Sequence, residues 1–194
     1  MGIAERKGRQ RAEREHCITA AARLIAEGEG WNAVTIRRLA EEIEFSQPVL
    51  YSHFENRDAI VAAVAVAGFR EITTALQQAA RESTDCRNAP ENIAMAYLAF
   101  ARKHPALYEA MFTLPTGLRF AEVETKSELK DAFEALAAVV TPSSTDVAVA
   151  TETFWAALHG LVELERSGRI RHSVRIERVA LVVRGLLEVR AESS

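Results

Sequence analysis

The segment Thr35-Ile-Arg-Arg-Leu-Ala-Glu-Glu-Ile-Glu-Phe-Ser-Gln-Pro-Val-Leu-Tyr-Ser-His-Phe54 decides the fold. Ile36, Leu39, Ala40 and Ile43 fall at i, i+3, i+4 and i+7, the spacing that puts apolar side chains on one face of a helix. Glu44-Phe45-Ser46 interrupts the pattern, and a second short helix is expected over Gln47 to Phe54, with Ser46 as its N-cap and Leu50 and Phe54 facing inward. Pro48 falls in the first turn of that helix, where its missing N–H costs nothing. Helix, three-residue turn and helix is the geometry in which one helix braces across a DNA backbone while the next enters the major groove. The second helix contains no acidic residue in a chain with 27 Asp and Glu among 194 residues, which suits a surface that meets phosphates.

Upstream, Ile18, Ala21, Ala22 and Ile25 repeat the helical spacing, and the helix is expected to stop at Gly28-Glu29-Gly30. Those glycines end a helix rather than follow a strand, so they form no nucleotide loop. Residues 1–14 carry Arg6, Lys7, Arg9, Arg11 and Arg14 against Glu5 and Glu13, a basic terminal arm suited to phosphates or simply to solvent. Downstream, a helix of about 25 residues is expected from near Arg57, with Val61, Ala65, Gly68, Ile72 and Leu76 along one stripe. Asn88-Ala-Pro-Glu91 has the form of a capping box and opens a helix to about Lys103. Pro105 forces a new start, and further helices are expected near 106–113, 121–140, 146–166 and 174–190. The expectation is an all-α chain of about nine helices, with a three-helix helix-turn-helix domain over 1–56 and a helical body over 57–194. The last helix is apolar almost all round, which implies burial by its own domain on one side and by a partner on the other. Val179, Val183, Leu186 and Leu187 are the expected dimer residues on it.

Composition sets aside several classes. Hydrophobic residues make up 48% and charged residues 26%, so disorder, collagen-like repeats and a disulfide scaffold are excluded. The apolar run at 61–69 is broken by Arg70 and is shorter than the ~20 residues of a membrane span. The charged opening residues lack a signal sequence, and Cys17 and Cys86 match no metal or redox spacing, so a cytoplasmic location is expected. Ser52 and His53 are helix neighbours that point apart, and neither a phosphate loop nor a metalloprotease motif occurs, so no enzyme activity is expected. Neither a cofactor nor a metal is expected, because His104, His159 and Glu163 share no ligand spacing beyond one i, i+4 pair. The net charge of −3 does not by itself announce a nucleic-acid partner.

Thr35 to Phe54, followed by Asn56-Arg57-Asp58-Ala59-Ile60, closely resembles the DNA-binding domain of the tetracycline-repressor (TetR) family. The likeness runs from about Glu15 to Val64 and includes Ile18-Thr-Ala-Ala-Ala-Arg-Leu-Ile25, Trp31 after Gly30, and Leu50-Tyr-Ser-His-Phe54. It implies that Thr35, Tyr51, His53 and Arg57 hold phosphates. Gln47, Val49 and Ser52 would read bases, supported by Ser46 and Arg37. The chemistry agrees, since Gln pairs with both edge groups of adenine and Val packs on a thymine methyl. Glu44 stands where the family usually has a turn glycine, and a positive φ is expected of it.

Ala96 to Tyr108 and Phe154 to Glu165 look like the TetR C-terminal domain type named for its Trp, His and Gly, here Trp155, His159 and Gly160. That resemblance implies a homodimer built by the last two helices, which adds Leu158 and Leu161 to the expected dimer residues, and a ligand pocket among the middle ones. Tyr97, Phe100, His104, Tyr108, Met111, Phe112, Trp155 and His159 suit a largely apolar small-molecule effector, although each also suits a packed core. His159 is either a ligand sensor or a buried imidazole. The function implied is a repressor that binds palindromic double-stranded operator DNA as a dimer and is released by an inducer. The alternative is a dimeric helical ligand-binding or interaction protein whose helix-turn-helix has degenerated.

Overall fold

A computed structural model describes residues 2–83, 85, 88–119, 125–140 and 146–187. Among the described residues there are nine α-helices and no strand: α1 Ile3–Glu29, α2 Ile36–Glu42, α3 Gln47–His53, α4 Arg57–Glu82, α5 Ala89–Lys103, α6 Pro105–Phe112, α7 Ser127–Ala137, α8 Val147–Arg166 and α9 Arg175–Leu186. The all-α class and the helix number agree with the sequence reading. Helix α1 stops at the expected glycines, with Gly30 at φ 82 as its C-cap. Two boundaries differ. The basic terminal arm is already helical, because α1 begins at Ile3. The helix expected near 121–140 starts at Ser127, where Lys126 with ψ 145 still belongs to extended chain, and ends at Ala137. Residues 121–124 and 188–190 of those expected helices lie outside the described residues.

By compactness the chain divides into two units. The first contains residues 1–68 and 104–125. Ile18, Ala22, Val34, Leu39, Leu50 and Ile60 form its interior and are fully enclosed. The short helix α6 is bolted to α1 by polar side chains. Glu27 accepts the backbone N–H groups of Ala106 and Leu107, both at 3.1 Å, and so caps the positive end of α6. The indole of Trp31 donates to the Ala106 carbonyl at 2.8 Å. Gly68 lets α4 approach α6 closely: a Cβ there would lie 2.6 Å from Met111 Sδ and 2.9 Å from Leu107 Cδ1.

The second unit contains residues 69–103 and 126–194. Ile93, Tyr97, Leu98, Leu136, Phe154, Leu158, Val179 and Val183 are buried in it. Arg70 of α4 pairs with Glu128 of α7. Glu165, 7% exposed, receives Arg175 Nε at 2.9 Å and Arg178 Nη1 at 3.0 Å, which ties the end of α8 to the start of α9. Burial works to raise the Glu165 carboxyl, but the hydrogen bonds and charges of Arg175 and His172 outweigh it and hold the group below the usual carboxylate range.

The dimer expectation needs correction at four positions. Leu158, Val179, Val183 and Leu187 are 0–9% exposed within their own unit and are spent on its core. Leu161 and Leu186 remain half-buried, and Leu164 at 40%, Ile176 at 70% and Leu181 at 64% are among the large apolar side chains that α8 and α9 turn outward. An apolar run covering most of a helix does not reveal which stripe its own neighbours will take. By length and hydropathy α4 could cross a membrane, yet Ile60, Val61, Val64, Ala65, Phe69, Ile72 and Leu76 are all buried in protein, as in a core helix.

Candidate nucleic-acid interface

The interface is built from α2, the turn and α3. Thr35 is the N-cap of α2, its hydroxyl oxygen accepting the Arg38 N–H at 3.1 Å. Leu39 and Ala40 are buried and seat the helix. At its other end Glu44 takes φ 55, and the Phe45 N–H reaches back to the Ala40 carbonyl at 3.0 Å. This is the hydrogen bond that closes a helix through one left-handed residue. A glycine would take that conformation freely, whereas Glu44 carries a cost of roughly 1–2 kcal/mol. The turn thus forms as the sequence predicts, and Glu44 is exposed.

Ser46 occupies the N-cap position of α3, but contrary to expectation its hydroxyl makes no cap bond; its carbonyl takes the Val49 N–H at 2.9 Å instead. Leu50 is fully buried and anchors α3 from below. Phe54 is half-buried and closes the helix as its C-cap, donating its N–H to the Leu50 carbonyl at 2.9 Å. Gln47, Tyr51 and Ser52 are exposed, Tyr51 by 54%, and Val49 is half-buried beside them. The Ser52 hydroxyl donates to the Val49 carbonyl at 2.7 Å, leaving its lone pairs available to a donor. Arg37 is exposed and pairs with Glu41 at 2.9 Å. Such an exposed i, i+4 pair is weak and is readily exchanged for a phosphate.

Two residues that the resemblance assigns to phosphates point elsewhere. The His53 imidazole is 6% exposed and lies 3.4 Å from the Glu15 carboxylate. Arg57 donates from Nε to the Val34 carbonyl at 2.8 Å and from Nη2 to the Trp31 carbonyl at 2.6 Å. Both side chains hold the framework under α3 together. The sequence reading missed Glu15 and Glu27, acidic residues inside a helix whose partners lie 38 to 80 positions away. No local signal marks such pairings.

The effector candidates fall in two groups. In the second unit Trp155 Nε1 donates to the Tyr97 hydroxyl at 3.0 Å, and Tyr97 and Phe100 are buried. His159 is half-buried one turn along α8 from Trp155. Burial pushes its imidazole below the ordinary value, Glu163 pulls it back, and Arg166 pushes it further down, which disfavours the charged form. In the first unit His104 Nδ1 meets Arg23 Nη2 at 3.1 Å. Tyr108 and Phe112 pack ring on ring at 4.7 Å, and Met111 is buried beside Gly68.

Residues 18–64 match the family model described as bacterial regulatory proteins, tetR family. Residues 91–186, which include Trp155, His159 and Gly160, match the tetracyclin repressor-like C-terminal domain. An uncharacterized HTH-type transcriptional regulator of Mycobacterium tuberculosis is 31% identical over 156 residues, 78% of this chain and 69% of that one. Among solved structures, a protein of unknown function from Rhodococcus sp. RHA1 superposes with a TM-score of 0.73 at 25% identity, covering 90% of this chain and 95% of that one. The TetR family regulator PfmR from Thermus thermophilus follows at 0.62 and 21%, covering 88% and 98%, a likeness of fold.

Proposed function

The chain belongs to the TetR family of transcriptional regulators, and we propose that it acts as a homodimeric repressor, seating α3 of each subunit in the major groove of a palindromic operator. In this reading residues 1–56 form the DNA-binding domain, and residues 57–194 dimerise and respond to a small-molecule effector. The observation that carries it is the turn closed by Glu44 at φ 55, which holds the acid-free α3 with Gln47, Tyr51 and Ser52 in solvent. Gln47, Val49 and Ser52 face base edges, while Thr35 and Tyr51, supported by Ser46 and Arg37, face phosphates. His53 and Arg57 serve the same surface indirectly, by holding α3 in place.

Twofold symmetry makes the operator an inverted repeat with half-sites about one helical turn or slightly more apart. The outer faces of α8 and α9, at Leu161, Leu164, Leu181 and Leu186, form the dimer contact. The effector is largely apolar and binds beside Tyr97, Phe100, Trp155 and His159. It releases DNA by binding more tightly to a state whose two α3 helices no longer fit the half-site spacing, since equal affinity for both states shifts nothing. The protein works where DNA is, in the cytoplasm. Selection of purified protein against a randomised duplex pool at about 100–150 mM salt, where the salt-dependent phosphate term is held down, tests this. Recovery of one inverted repeat is the expected result. Retention of nothing, or of unpatterned DNA that washes off in modest salt, overturns it and favours a helical dimer with a degenerate helix-turn-helix.

A further inference from the structure

Helix α1 is longer than the packing of the first unit requires. Its first described buried side chain is Ile18, and every residue from Ala4 to Cys17 is exposed except the half-buried Glu15. At 1.5 Å per residue, the stretch from Ile3 to Glu15 is a rod about 18 Å long. Isolated helix of this length gains little from propensity alone, and none of the described side chains from Ala4 to Arg14 is buried. Its charge is organised. Lys7, Gln10, Arg11 and Arg14 fall at i, i+3, i+4 and i+7, and the same period continues into Ile18, Ala21, Ala22 and Ile25. The stripe that is basic on the rod is therefore the stripe that, four turns on, packs into the interior of the unit. Glu5 and Glu13 lie off it. At the junction the Glu15 carboxylate is 3.4 Å from His53 at the C-terminal end of α3, so the rod leaves the unit beside the helix that enters DNA.

We propose that Lys7, Arg11 and Arg14 form a second DNA contact, binding the phosphates that flank the half-site occupied by α3. The proposal rests on the operator-binding reading above. A strand advances about 3.4 Å per phosphate along the duplex axis, so the rod spans about five base pairs beyond the end of α3. Arg11 already pairs with Glu15 at 2.8 Å, but as an exposed i, i+4 pair that yields easily to a phosphate. Phosphodiester DNA is favoured over an anionic membrane surface because Ala4, Ala12 and Cys17 are the only apolar residues between positions 4 and 17, so no apolar face is available to enter a bilayer.

The test uses full-length protein and the triple variant Lys7→Ala/Arg11→Ala/Arg14→Ala, in which alanine preserves the helix. Fluorescence anisotropy is read between about 50 and 300 mM salt on two duplexes, the recovered inverted repeat alone and the same repeat extended by about 8 base pairs on each side. Circular dichroism and a thermal melt confirm that both proteins are equally folded. On the long duplex the variant is expected to lose about 2–3 per subunit from the magnitude of the log–log salt slope, at about 0.9 per phosphate contact. On the short duplex the two proteins are expected to coincide, and base preference is unchanged throughout. Equal slopes on the long duplex overturn the proposal, as does an equal loss on both duplexes or a changed base preference. Stripe-dependent co-sedimentation with phosphatidylserine vesicles, with duplex binding intact, overturns it in favour of a membrane surface. Wild-type protein that holds neither duplex removes the operator-binding reading itself, and this proposal with it.

Discussion

Arg57→Met separates two roles that one side chain cannot fill at once. In the structure the guanidinium donates to the Val34 and Trp31 carbonyls at 2.8 and 2.6 Å, pinning the segment between α1 and α2 to the start of α4. Methionine keeps most of the apolar stem and removes both hydrogen bonds. A hydrogen bond from a charged group contributes about 1.5–3 kcal/mol. The side chain is 35% exposed, so water recovers part of that and the lower half of the range applies, giving about 3–4.5 kcal/mol for the pair. For a chain of this size each kcal/mol moves the melting temperature by roughly 2–4 °C, so a loss of about 6–18 °C is expected. Urea unfolding followed by circular dichroism measures the first quantity. Anisotropy at about 10 °C, where the variant is still folded, measures the second, the salt slope on the selected operator, which is expected to stay at the wild-type value. A variant with wild-type stability whose slope falls by about 0.9 per subunit refutes the reasoning and returns Arg57 to the phosphate role that the family resemblance implies.

Two further substitutions probe the frame of each unit. Glu165→Gln leaves Arg175 and Arg178 facing a neutral amide and is expected to cost about 2–4 kcal/mol at pH 7, less than a fully buried pair because both arginines keep some contact with water. Because the carboxyl is held below its ordinary value of 4.5, its stabilisation is present above that pH and is lost as the pH falls through the lowered value. The gap between wild type and variant therefore narrows on going from pH 7 to pH 3.5, and a variant as stable as wild type at pH 7 contradicts the clamp. Gly68→Val places branched carbon where a Cβ alone meets Met111 Sδ at 2.6 Å and is expected to cost about 1–3 kcal/mol by overpacking. Gly68→Ala is expected to be milder, since the ends of Met111 and Leu107 can turn aside and alanine gains about 1 kcal/mol of helix propensity. Urea midpoints rank the three proteins, and a neutral valine variant rules out close approach of α4 and α6 at that point.

Much of the candidate interface was legible from residue order alone, because it is made of local events. The apolar spacing of Ile36, Leu39 and Ala40, the Thr35 cap, the three-residue turn and the exposed α3 each depend on residues within a few positions of one another. The stops at Gly30 and Pro105 and the start of α5 at Ala89 were readable for the same reason. The positive φ of Glu44 was expected instead from the resemblance to the family, which usually has a turn glycine at that place. Boundaries failed where the local signal was weak. The charged residues at the start of α1 support a helix or a solvated arm equally well, and the segment before Ser127 has ordinary helix formers but extended backbone at Lys126.

Partnership was not legible, because periodicity says that a face is apolar or a residue polar without saying what will meet it. Glu27 and the N-terminus of α6 are about 80 positions apart, and Trp31 and Ala106 are 75 apart. His53 and Arg57 are polar residues at the edge of a DNA-binding motif, and only the packed neighbours turned them inward, where burial requires that their donors find acceptors. Val179 and Val183 belong to the apolar run 179–183, which covers more than one face of α9, and the stripe that became core packs against α5 and α8. The residues thus specify helices, turns and an acid-free α3 through local physics, whereas the inward or outward assignment of each ambiguous side chain is a non-local choice made when the helices pack.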